Sequence, residues 1–264
     1  MGRALNKPVV ITARGTDINL IPAYRLPRRM ILGAAGRAAH MIAVCQALKD
    51  EMVGLGIDET RITVLRNGVD LRLFHPGGRE EARAHFGMSG KVLLSVGLLI
   101  PRKAHELIIG ALPQLPGQSL FIAGAGPERG NLKALAARLG VADRVRFLGR
   151  LSQVELRHAY AGADALVLAS SREGWQNVLL ESMACGTPVV ASNVWGNPEV
   201  VARPEAGVLM KDRSAEGIIE AVTRLFAAYP SRATTRAYAE GFSWDATTKG
   251  QIDLFNAILA KGRR

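Results

Sequence analysis

Two glutamates, Glu173 and Glu181, flank seven residues that lead into a predicted helix at Asn177. Glu173 would lie in the loop above the start of that helix, and Glu181 one turn inside it. Unpaired backbone N–H groups at a helix start bind phosphate, and carboxylates accept hydrogen bonds from hydroxyl groups. The pattern fits a ligand with phosphates in the middle and hydroxyl-rich groups at both ends, such as a nucleotide sugar. A capped surface helix is the alternative that this spacing leaves open.

A second candidate anion site follows the predicted buried strand Lys91–Val96. Gly97 permits a sharp turn there, and Arg102 and Lys103 then precede a predicted helix. A helix start beside a fixed cation favours an anion, for which diphosphate is the usual example. A solvated Arg-Lys pair is the competing interpretation.

The loop after the first predicted strand, Pro8–Thr12, contains Arg14, Gly15 and Asp17. Ligands of open parallel sheets bind outside the carboxyl ends of the strands, so a side chain of this loop could contact a substrate. A simple turn is equally compatible with an aspartate at this point.

The glycine-rich loop at 124–130 has one residue too many for the dinucleotide-binding pattern G-x-G-x-x-G. Pro127 also removes a backbone N–H group that a pyrophosphate would need. We interpret this loop as a tight turn at the rim of a cleft and do not expect NAD binding.

The five histidines and two cysteines show no spacing typical of a metal site, so no metal is expected. Cys45 and Cys185 lie far apart and form no disulfide framework, which favours a reducing, cytosolic setting. His105 is expected at the surface of a helix. Trp175 and Trp195 are expected in the core, with stacking of a ring on a sugar as the alternative.

The elements that position these loops alternate between strand and helix. Continuous apolar strands separated by helices are typical of parallel sheets covered on both faces. Two such series predict the α/β class, with two Rossmann-like parallel-sheet domains of which the N-terminal one is incomplete. We place a partial N-terminal domain at 1–75, a nucleotide-sugar-binding C-terminal domain at 76–244 and a C-terminal helix at 245–264. That helix is expected to pack back on the N-terminal domain and carries one apolar stripe: Ile252, Phe255, Ile258 and Leu259.

The net charge is +11, and residues 1–40 hold seven basic side chains against one acidic side chain. Such a surface attracts nucleic acid, an anionic membrane or phosphorylated small molecules. Nucleic acid is not expected, because the chain has neither a clustered aromatic platform nor a recognition-helix pattern. Arg25, Arg28 and Arg29, with Leu26 among them, form a candidate face for anionic lipid, and a solvated basic helix is the alternative. No apolar stretch approaches the ~18 residues of a membrane span.

Several motifs together resemble glycosyltransferase family 4, the retaining sugar-nucleotide transferases of GT-B architecture. The most specific is E-G-W-Q-N-V-L-L-E-S-M-A-C-G-T-P-V-V-A at Glu173–Ala191. The resemblance covers nearly the whole chain and includes N-G-V-D (Asn67–Asp70), V-G-L-L-I-P-R-K (Val96–Lys103), G-A-G-P-E (Gly124–Glu128) and R-V-R-F-L-G (Arg144–Gly149).

The resemblance implies retaining transfer of a hexosyl-type sugar from a nucleotide-diphosphate sugar to a glycan, lipid or small-molecule acceptor, without a metal or other cofactor. Lys103 would bind the donor diphosphate and Glu173 the hydroxyls of the transferred sugar, and these two are the expected catalytic residues. Glu181 would bind the ribose, and backbone amides at Asn177 and Val178 the phosphate oxygens. The other expected donor-binding residues are Gly97, Arg102, Gly149, Leu151, Gln153, Gly174, Trp175 and Gln176. The loop from Gly149 to Gln153 would border the nucleobase.

Two positions depart from the family pattern. Leu98 stands where the family usually has an arginine after the glycine of the diphosphate loop, and Arg102 is expected to compensate. Arg14-Gly15 stands where the family has His-Gly, so a histidine that contacts the sugar is replaced. Arg14, Gly15 and Asp17 are the expected acceptor-side residues.

Residues 1–75 are fewer than a GT-B N-terminal domain normally has, so we expect its first half to be absent and a sheet edge to be exposed. A homodimer or another polypeptide would cover that edge. The alternatives to a transferase are a non-catalytic donor-binding or scaffold protein, a GT-B UDP-sugar epimerase and a basic nucleic-acid-binding protein. We expect a cytoplasmic protein, with the inner face of the membrane as the alternative site.

Overall fold

The computed structural model describes the backbone of residues 7–261 and the side chains of residues 7–260. Arg3, which contributes to the basic N-terminal charge, lies outside the described residues, as do the ends of the predicted ranges 1–75 and 245–264. The first sheet contains β1 (Val10–Ala13), β2 (His40–Ala43) and β3 (Ile62–Val64), which are parallel and adjacent in that order. Within the described residues, β1 is therefore an edge strand.

The second sheet contains β4 (Lys91–Val96), β5 (Gln118–Ala123), β6 (Val145–Gly149), β7 (Ala165–Leu168), β8 (Val189–Ala191) and β9 (Gly207–Leu209). All pairs are parallel, and the order across the sheet is β6-β5-β4-β7-β8-β9. The prediction of two parallel sheets is confirmed. Strand order reverses between β4 and β7, so the loops that follow these two strands border a crevice at their carboxyl ends.

The described residues form twelve α-helices: α1 (Thr16–Asn19), α2 (Arg25–Arg37), α3 (Gln46–Gly54), α4 (Arg79–Phe86), α5 (His105–Ala111), α6 (Arg129–Arg138), α7 (Gln153–Gly162), α8 (Asn177–Ala184), α9 (Asn197–Val200), α10 (Ala215–Ala227), α11 (Arg232–Glu240) and α12 (Trp244–Lys261). The strand Lys91–Val96 has the predicted bounds, and α8 begins at the predicted Asn177. The sequence does not predict α11, because a threonine and an alanine, Thr235 and Ala239, are its only fully buried residues.

Alternate residues of the central strands face two separate hydrophobic cores. Leu93 and Leu120 lie in the core that α5 and α10 cover. Leu94 and Phe121 lie in the other core, which continues into the first sheet. The second sheet is thus buried on both faces, which explains why its strands are continuously apolar.

The last helix, α12, begins against the first sheet but leaves much of its predicted apolar stripe uncovered. The Thr247 hydroxyl donates a hydrogen bond to the carbonyl of Arg66, and a side chain on Gly250 would clash with Leu65. Further along, three apolar side chains are exposed: Ile252, Phe255 and Leu259. Because no element of residues 7–261 covers these three, the apolar pattern does not mark buried packing at this end of the helix.

Helix α2 exposes most of its surface, and Ala35 is its one buried residue. Its exposed side chains include Arg25, Arg29, Leu26 and Met30. Within the described part of the chain, no helix is both long enough and apolar enough to cross a membrane.

Candidate functional site

The loops after β4 and β7 meet at the crevice because the two strands are neighbours, with Leu93 opposite Ala165. The backbone N–H of Ser171, in the loop after β7, donates to the carbonyl of Arg102 at 2.9 Å. The Arg102 guanidinium donates in turn to the carbonyl of Arg172 at 2.9 Å. These bonds join the loop predicted to bind diphosphate to the loop that carries Glu173.

Glu173 is held by two cations in this crevice. Lys103 Nζ lies 2.6 Å from Glu173 Oε1, and Arg102 Nη1 lies 3.0 Å from Glu173 Oε2. The Gln176 side-chain amide also donates to Oε2. Only 4% of the Glu173 side chain is exposed, so water screens these charges weakly. The structure brings together Glu173, Lys103, Arg102 and Gln176 in one cluster with one positive charge in excess.

Because Gly97 has no side chain, the Lys103 side chain can pass over it to reach Glu173. Gly97 has φ 157°, and a Cβ there would lie 3.3 Å from side-chain carbons of Lys103. The lysine stem therefore packs across the glycine. The Leu98 side chain is exposed beside this turn, so both cations of the cluster come from the far end of the loop.

Glu181 lies in α8 and is bound by a buried tyrosine that the sequence pattern does not single out. Tyr160 Oη donates to Glu181 Oε2 at 2.9 Å. Burial raises the pKa of Glu181, and the hydrogen bond from Tyr160 acts in the opposite direction. A tyrosine between alanines near the end of α7 was the available signal, because a buried tyrosine requires a hydrogen-bond partner.

The segment that follows β1 contacts the loop that carries Glu173. Asn19 Nδ2 donates to the carbonyl of Glu173 at 3.1 Å. A side chain on Gly174 would clash with the carbonyl of Arg14, and a Cβ on Gly15 would lie 3.2 Å from the backbone nitrogen of Gly174. Arg14 and Gly15 therefore lie directly against this loop.

Asp17 is used within its own turn. Its carboxylate accepts hydrogen bonds from the backbone N–H groups of Gly15, at 2.7 Å, and Arg14, at 3.1 Å. The simple-turn interpretation describes this side chain, which shapes the Arg14-Gly15 segment.

Trp175 contributes its ring to the core. Its side chain is buried, with the Phe242 ring 6.2 Å away and the Arg66 guanidinium 5.9 Å from the ring centre. The core interpretation therefore describes the ring, and the donor-binding role of Trp175 stays a prediction. Trp195 is partly buried against the same core.

The loop predicted to border the nucleobase follows β6, two strands from β4. Its Gly149 carbonyl accepts a hydrogen bond from the Gly124 N–H at 2.7 Å. Ser152 and Glu155 form the capping box of α7, which leaves Leu151 partly buried and Gln153 exposed. This loop lies farther from the Glu173 cluster than the loops after β4 and β7.

The glycine-rich turn after β5 packs on the loop after β4. A side chain on Gly124 would clash with the Gly97 carbonyl, and one on Gly126 would clash with the Leu99 carbonyl. These glycines permit close backbone contact, as expected for a tight turn at the cleft rim.

The expectation that His105 lies at the surface is wrong. The side chain is 2% exposed, and its ring bonds to Ser95 Oγ and the Leu98 carbonyl. The polar helix position suggested exposure, but the helix start faces back into the loop after β4.

A cavity of about 310 Å³ lies on the N-terminal side of the Glu173 loop. It is lined by Ile18, Asn19, Leu20, Pro22, Ala23, Arg28, Glu51, Leu55 and Arg172. Two buried polar atoms of these residues have no hydrogen-bond partner, Asn19 Oδ1 and Arg172 Nε. Local sequence pattern could not predict this cavity, because its lining comes from segments far apart in the chain.

Two family profiles match the chain. The profile described as "Glycosyl transferases group 1" matches residues 79–242, and the one described as "Glycosyltransferase Family 4" matches residues 1–73. The chain is 36% identical over 226 residues to the D-inositol 3-phosphate glycosyltransferase of Mycobacteroides abscessus, covering 81% of this chain and 51% of the relative. It is 34% identical over 251 residues to the corresponding enzyme of Frankia alni, covering 88% of this chain and 59% of the relative. The chain spans about half the length of the curated relatives it matches.

Solved structures share the fold. Sucrose-phosphate synthase from Thermosynechococcus elongatus has a TM-score of 0.84 at 25% identity, over 98% of this chain and 71% of that one. Anabaena HepE, solved in complex with UDP, has a TM-score of 0.88 at 22% identity, over 97% of this chain and 74% of that one. The predicted GT-B-like architecture is confirmed by these similarities. Since the group 1 profile covers most of the chain, the protein belongs to the group 1 glycosyltransferases.

Proposed function

We propose that this protein transfers a sugar from a nucleoside diphosphate sugar to a hydroxyl-bearing acceptor. The observation that supports this best is the Glu173 cluster, in which Lys103 and Arg102 bind a buried carboxylate just before α8. A diphosphate requires cations and backbone N–H groups, and a sugar hydroxyl requires an acceptor. The crevice offers all three. Family membership and the UDP in the HepE complex agree with this proposal.

In the proposed complex, the donor diphosphate competes with Glu173 for the two cations. A diphosphate carries more negative charge than one carboxylate and presents more acceptor oxygens, so Lys103 and Arg102 turn toward it. The Glu173 oxygens then accept hydrogen bonds from hydroxyls of the transferred sugar. Backbone amides at Asn177 and Val178, at the start of α8, bind phosphate oxygens.

Glu181 is the proposed ribose-binding residue. A carboxylate accepts hydrogen bonds from two adjacent hydroxyls, and Tyr160 fixes the rotamer of Glu181 by bonding one of its oxygens. The loop 149–153 remains the proposed neighbour of the nucleobase.

The proposed reaction retains the configuration of the sugar. The bond between the anomeric carbon and the phosphate oxygen breaks, and the acceptor hydroxyl oxygen bonds to that carbon on the same face. The hydroxyl proton passes to the departing phosphate oxygen. Negative charge on the diphosphate grows in the transition state, so the fixed charges of Lys103 and Arg102 stabilise the transition state more than the bound donor.

We propose that the acceptor occupies the cavity lined by Arg28, Arg172 and Asn19. Arg28 and Arg172 outnumber the one carboxylate of the lining, Glu51, so the cavity favours an anionic group. Asn19 also bonds the Glu173 backbone, so the cavity lies beside the proposed sugar site. A phosphorylated polyol fits this chemistry and agrees with the inositol 3-phosphate named for the relatives.

Transfer is tested by incubating the chain with UDP- and GDP-sugars and acceptors that include an inositol phosphate, a glycan and a lipid. Mass spectrometry of a glycosylated acceptor, absent in Lys103→Ala, supports the proposal. Donor conversion without any acceptor would indicate an epimerase instead. Donor binding without turnover on any acceptor would indicate the non-catalytic binding protein, and failure to bind any nucleotide would refute both of these functions.

A further inference from the structure

A buried histidine links the strand before the diphosphate loop to the loop itself. His105 Nδ1 lies 3.0 Å from Ser95 Oγ, and His105 Nε2 lies 3.2 Å from the carbonyl oxygen of Leu98. Ser95 belongs to β4, Leu98 follows Gly97 in the loop, and His105 is the first residue of α5. The ring therefore connects the end of β4, the turn at Leu98 and the start of α5 within one short segment, residues 95–105.

The two hydrogen bonds fix the position of the ring proton. The Leu98 carbonyl can only accept a hydrogen bond, so Nε2 carries the proton and donates it. Nδ1 is then an acceptor, and the Ser95 hydroxyl donates to it. Burial lowers the pKa of His105 to about 4, so the ring is neutral at physiological pH and adds no cation beside Lys103.

The backbone next to His105 sets the direction of Lys103. Ala104 is fully buried and has φ 53° and ψ 40°, a left-handed conformation that is uncommon for alanine. This residue separates Lys103 from His105, so the ring anchors the chain directly after the unusual turn. Lys103 then crosses Gly97 to reach Glu173 at 2.6 Å.

We propose that His105 is a positioning residue, which holds the loop at 97–103 in the shape that directs Lys103 and Arg102 toward the donor diphosphate. This role rests on the proposed function of the crevice. A loop that is already ordered loses less conformational entropy on binding, and the cations are already aimed at the site. His105 does not touch the donor in this proposal.

Two substitutions of His105 test its hydrogen bonds to Leu98 and to Ser95 separately. His105→Gln places an amide N–H where it can still donate to the Leu98 carbonyl, whereas His105→Asn is shorter and retains only an acceptor for Ser95. We expect His105→Gln to keep the affinity for a nucleoside diphosphate within about threefold of wild type. His105→Asn should weaken it by about tenfold or more, since one charge-assisted contact becomes poorly aligned.

The discriminating readout is the ratio of affinities for the nucleoside diphosphate and the matching monophosphate, measured by calorimetry with UDP and UMP or with GDP and GMP. A positioning role predicts that His105→Asn lowers this ratio toward that of Lys103→Ala and that the monophosphate affinity changes less than about twofold. A purely structural role would weaken both ligands equally. An unchanged ratio in a folded His105→Asn protein would overturn the proposal.

Hydrogen exchange tests the linkage without any ligand. His105→Asn should speed exchange of backbone amides at 97–104 relative to wild type, with exchange in β7 and α8 unchanged. If His105→Asn fails to fold, Ser95→Ala removes the donor to Nδ1 and should accelerate the same amides to a smaller extent. Unchanged exchange in both folded variants would refute the positioning role even if nucleotides bind. If wild type binds no nucleotide but exchange changes as expected, the proposed function fails while the structural linkage stands.

Discussion

Among the single residues, Glu173 and Lys103 neutralise one another in a buried ion pair. The Glu173 carboxylate is 4% exposed and contacts both Lys103 and Arg102. In the proposed complex, donor binding therefore requires an exchange of partners in which the diphosphate replaces a carboxylate. This exchange sets opposite expectations for the free diphosphate and for the sugar-bearing donor.

Glu173→Gln should leave nucleoside diphosphate affinity unchanged or higher, because Lys103 and Arg102 no longer bind a carboxylate. Transfer should fall by about a hundredfold or more, since a neutral amide holds the sugar hydroxyls less well in the transition state. Calorimetry and a transfer assay measure the two effects. Glu106→Gln, at an exposed position of α5, is the matched control and should change neither. Weaker diphosphate binding in Glu173→Gln would contradict the proposed exchange.

The pH dependence of nucleotide binding should report Glu181. Burial raises the pKa of Glu181, and only the ionised form accepts two hydrogen bonds from the ribose. Affinity should therefore fall as pH decreases through that raised pKa. Tyr160→Phe removes a hydrogen bond that stabilises the carboxylate, so the pKa rises further and the acid limb moves to higher pH. Titration calorimetry between about pH 4 and 8 measures the limb, and a shift to lower pH in Tyr160→Phe would contradict the assignment.

The sequence identified candidate ligand-binding residues but not the residues that support them. Glu173, Lys103 and Glu181 stand at recognisable spacings beside glycines and a helix start. Tyr160 and His105 act through contacts across the fold, and local pattern assigns a lone tyrosine or histidine no partner. The role of Asp17 could not be assigned from the sequence either. An aspartate that accepts hydrogen bonds within its own turn and an aspartate that contacts a substrate look the same in a sequence.

Among the structural elements, the segment after β1 contacts the loop after β7, and this contact depends on Gly174. A side chain there would clash with the carbonyl of Arg14. Gly174→Ala should destabilise the protein by about 1–3 kcal/mol, as overpacking of a tight contact does. It should also reduce transfer, because the Glu173 loop must shift.

Gly130→Ala is the matched control for Gly174→Ala. Gly130 lies in α6, and a Cβ at this position would meet nothing within 4 Å, so alanine should stabilise the helix by about 0.5–1 kcal/mol. Chemical denaturation measures both variants. Equal stability of Gly174→Ala and wild type would mean that the segment after β1 does not pack against the loop after β7 as described.

Alternating apolar strands and helices were enough to predict both sheets, since the strands of the second sheet are buried on both faces. The amphipathic pattern described the packing of two helices poorly. It missed α11, whose packed face combines Thr235 and Ala239 with the partly buried Tyr238. It gave α12 a stripe that residues 7–261 leave exposed at Ile252, Phe255 and Leu259. Periodicity reports which face is apolar and does not report whether another element covers it.

At the scale of the whole molecule, α2 combines exposed apolar side chains with positive charge. Leu26 is 69% exposed and Met30 67% exposed, among arginines and without an acidic residue in the helix. An anionic bilayer complements both properties, because apolar side chains enter the interface while arginines bind lipid headgroups. We therefore propose that this face contacts anionic lipid.

Binding to vesicles of phosphatidylglycerol and phosphatidylcholine should exceed binding to phosphatidylcholine alone. Replacing Arg25 and Arg29 by glutamine should weaken it by about tenfold or more, at roughly 1 kcal/mol per arginine near the surface. Replacing Arg138 and Arg213, which are exposed elsewhere, changes the net charge equally and should have little effect. Equal flotation of both double variants would show that net charge alone drives binding. Association of two chains through α2 would appear instead as concentration-dependent sedimentation without lipid.

We propose that Lys103, beside the start of α8, binds the diphosphate of a nucleotide. Titration calorimetry of the chain with UDP and GDP tests this proposal, with Lys133→Ala, at an exposed position of α6, as the control for Lys103→Ala. We predict one-to-one binding of at least one nucleotide, weakened by about tenfold or more in Lys103→Ala and unchanged in Lys133→Ala. Absence of binding, or equal binding by wild type and Lys103→Ala, would contradict this claim.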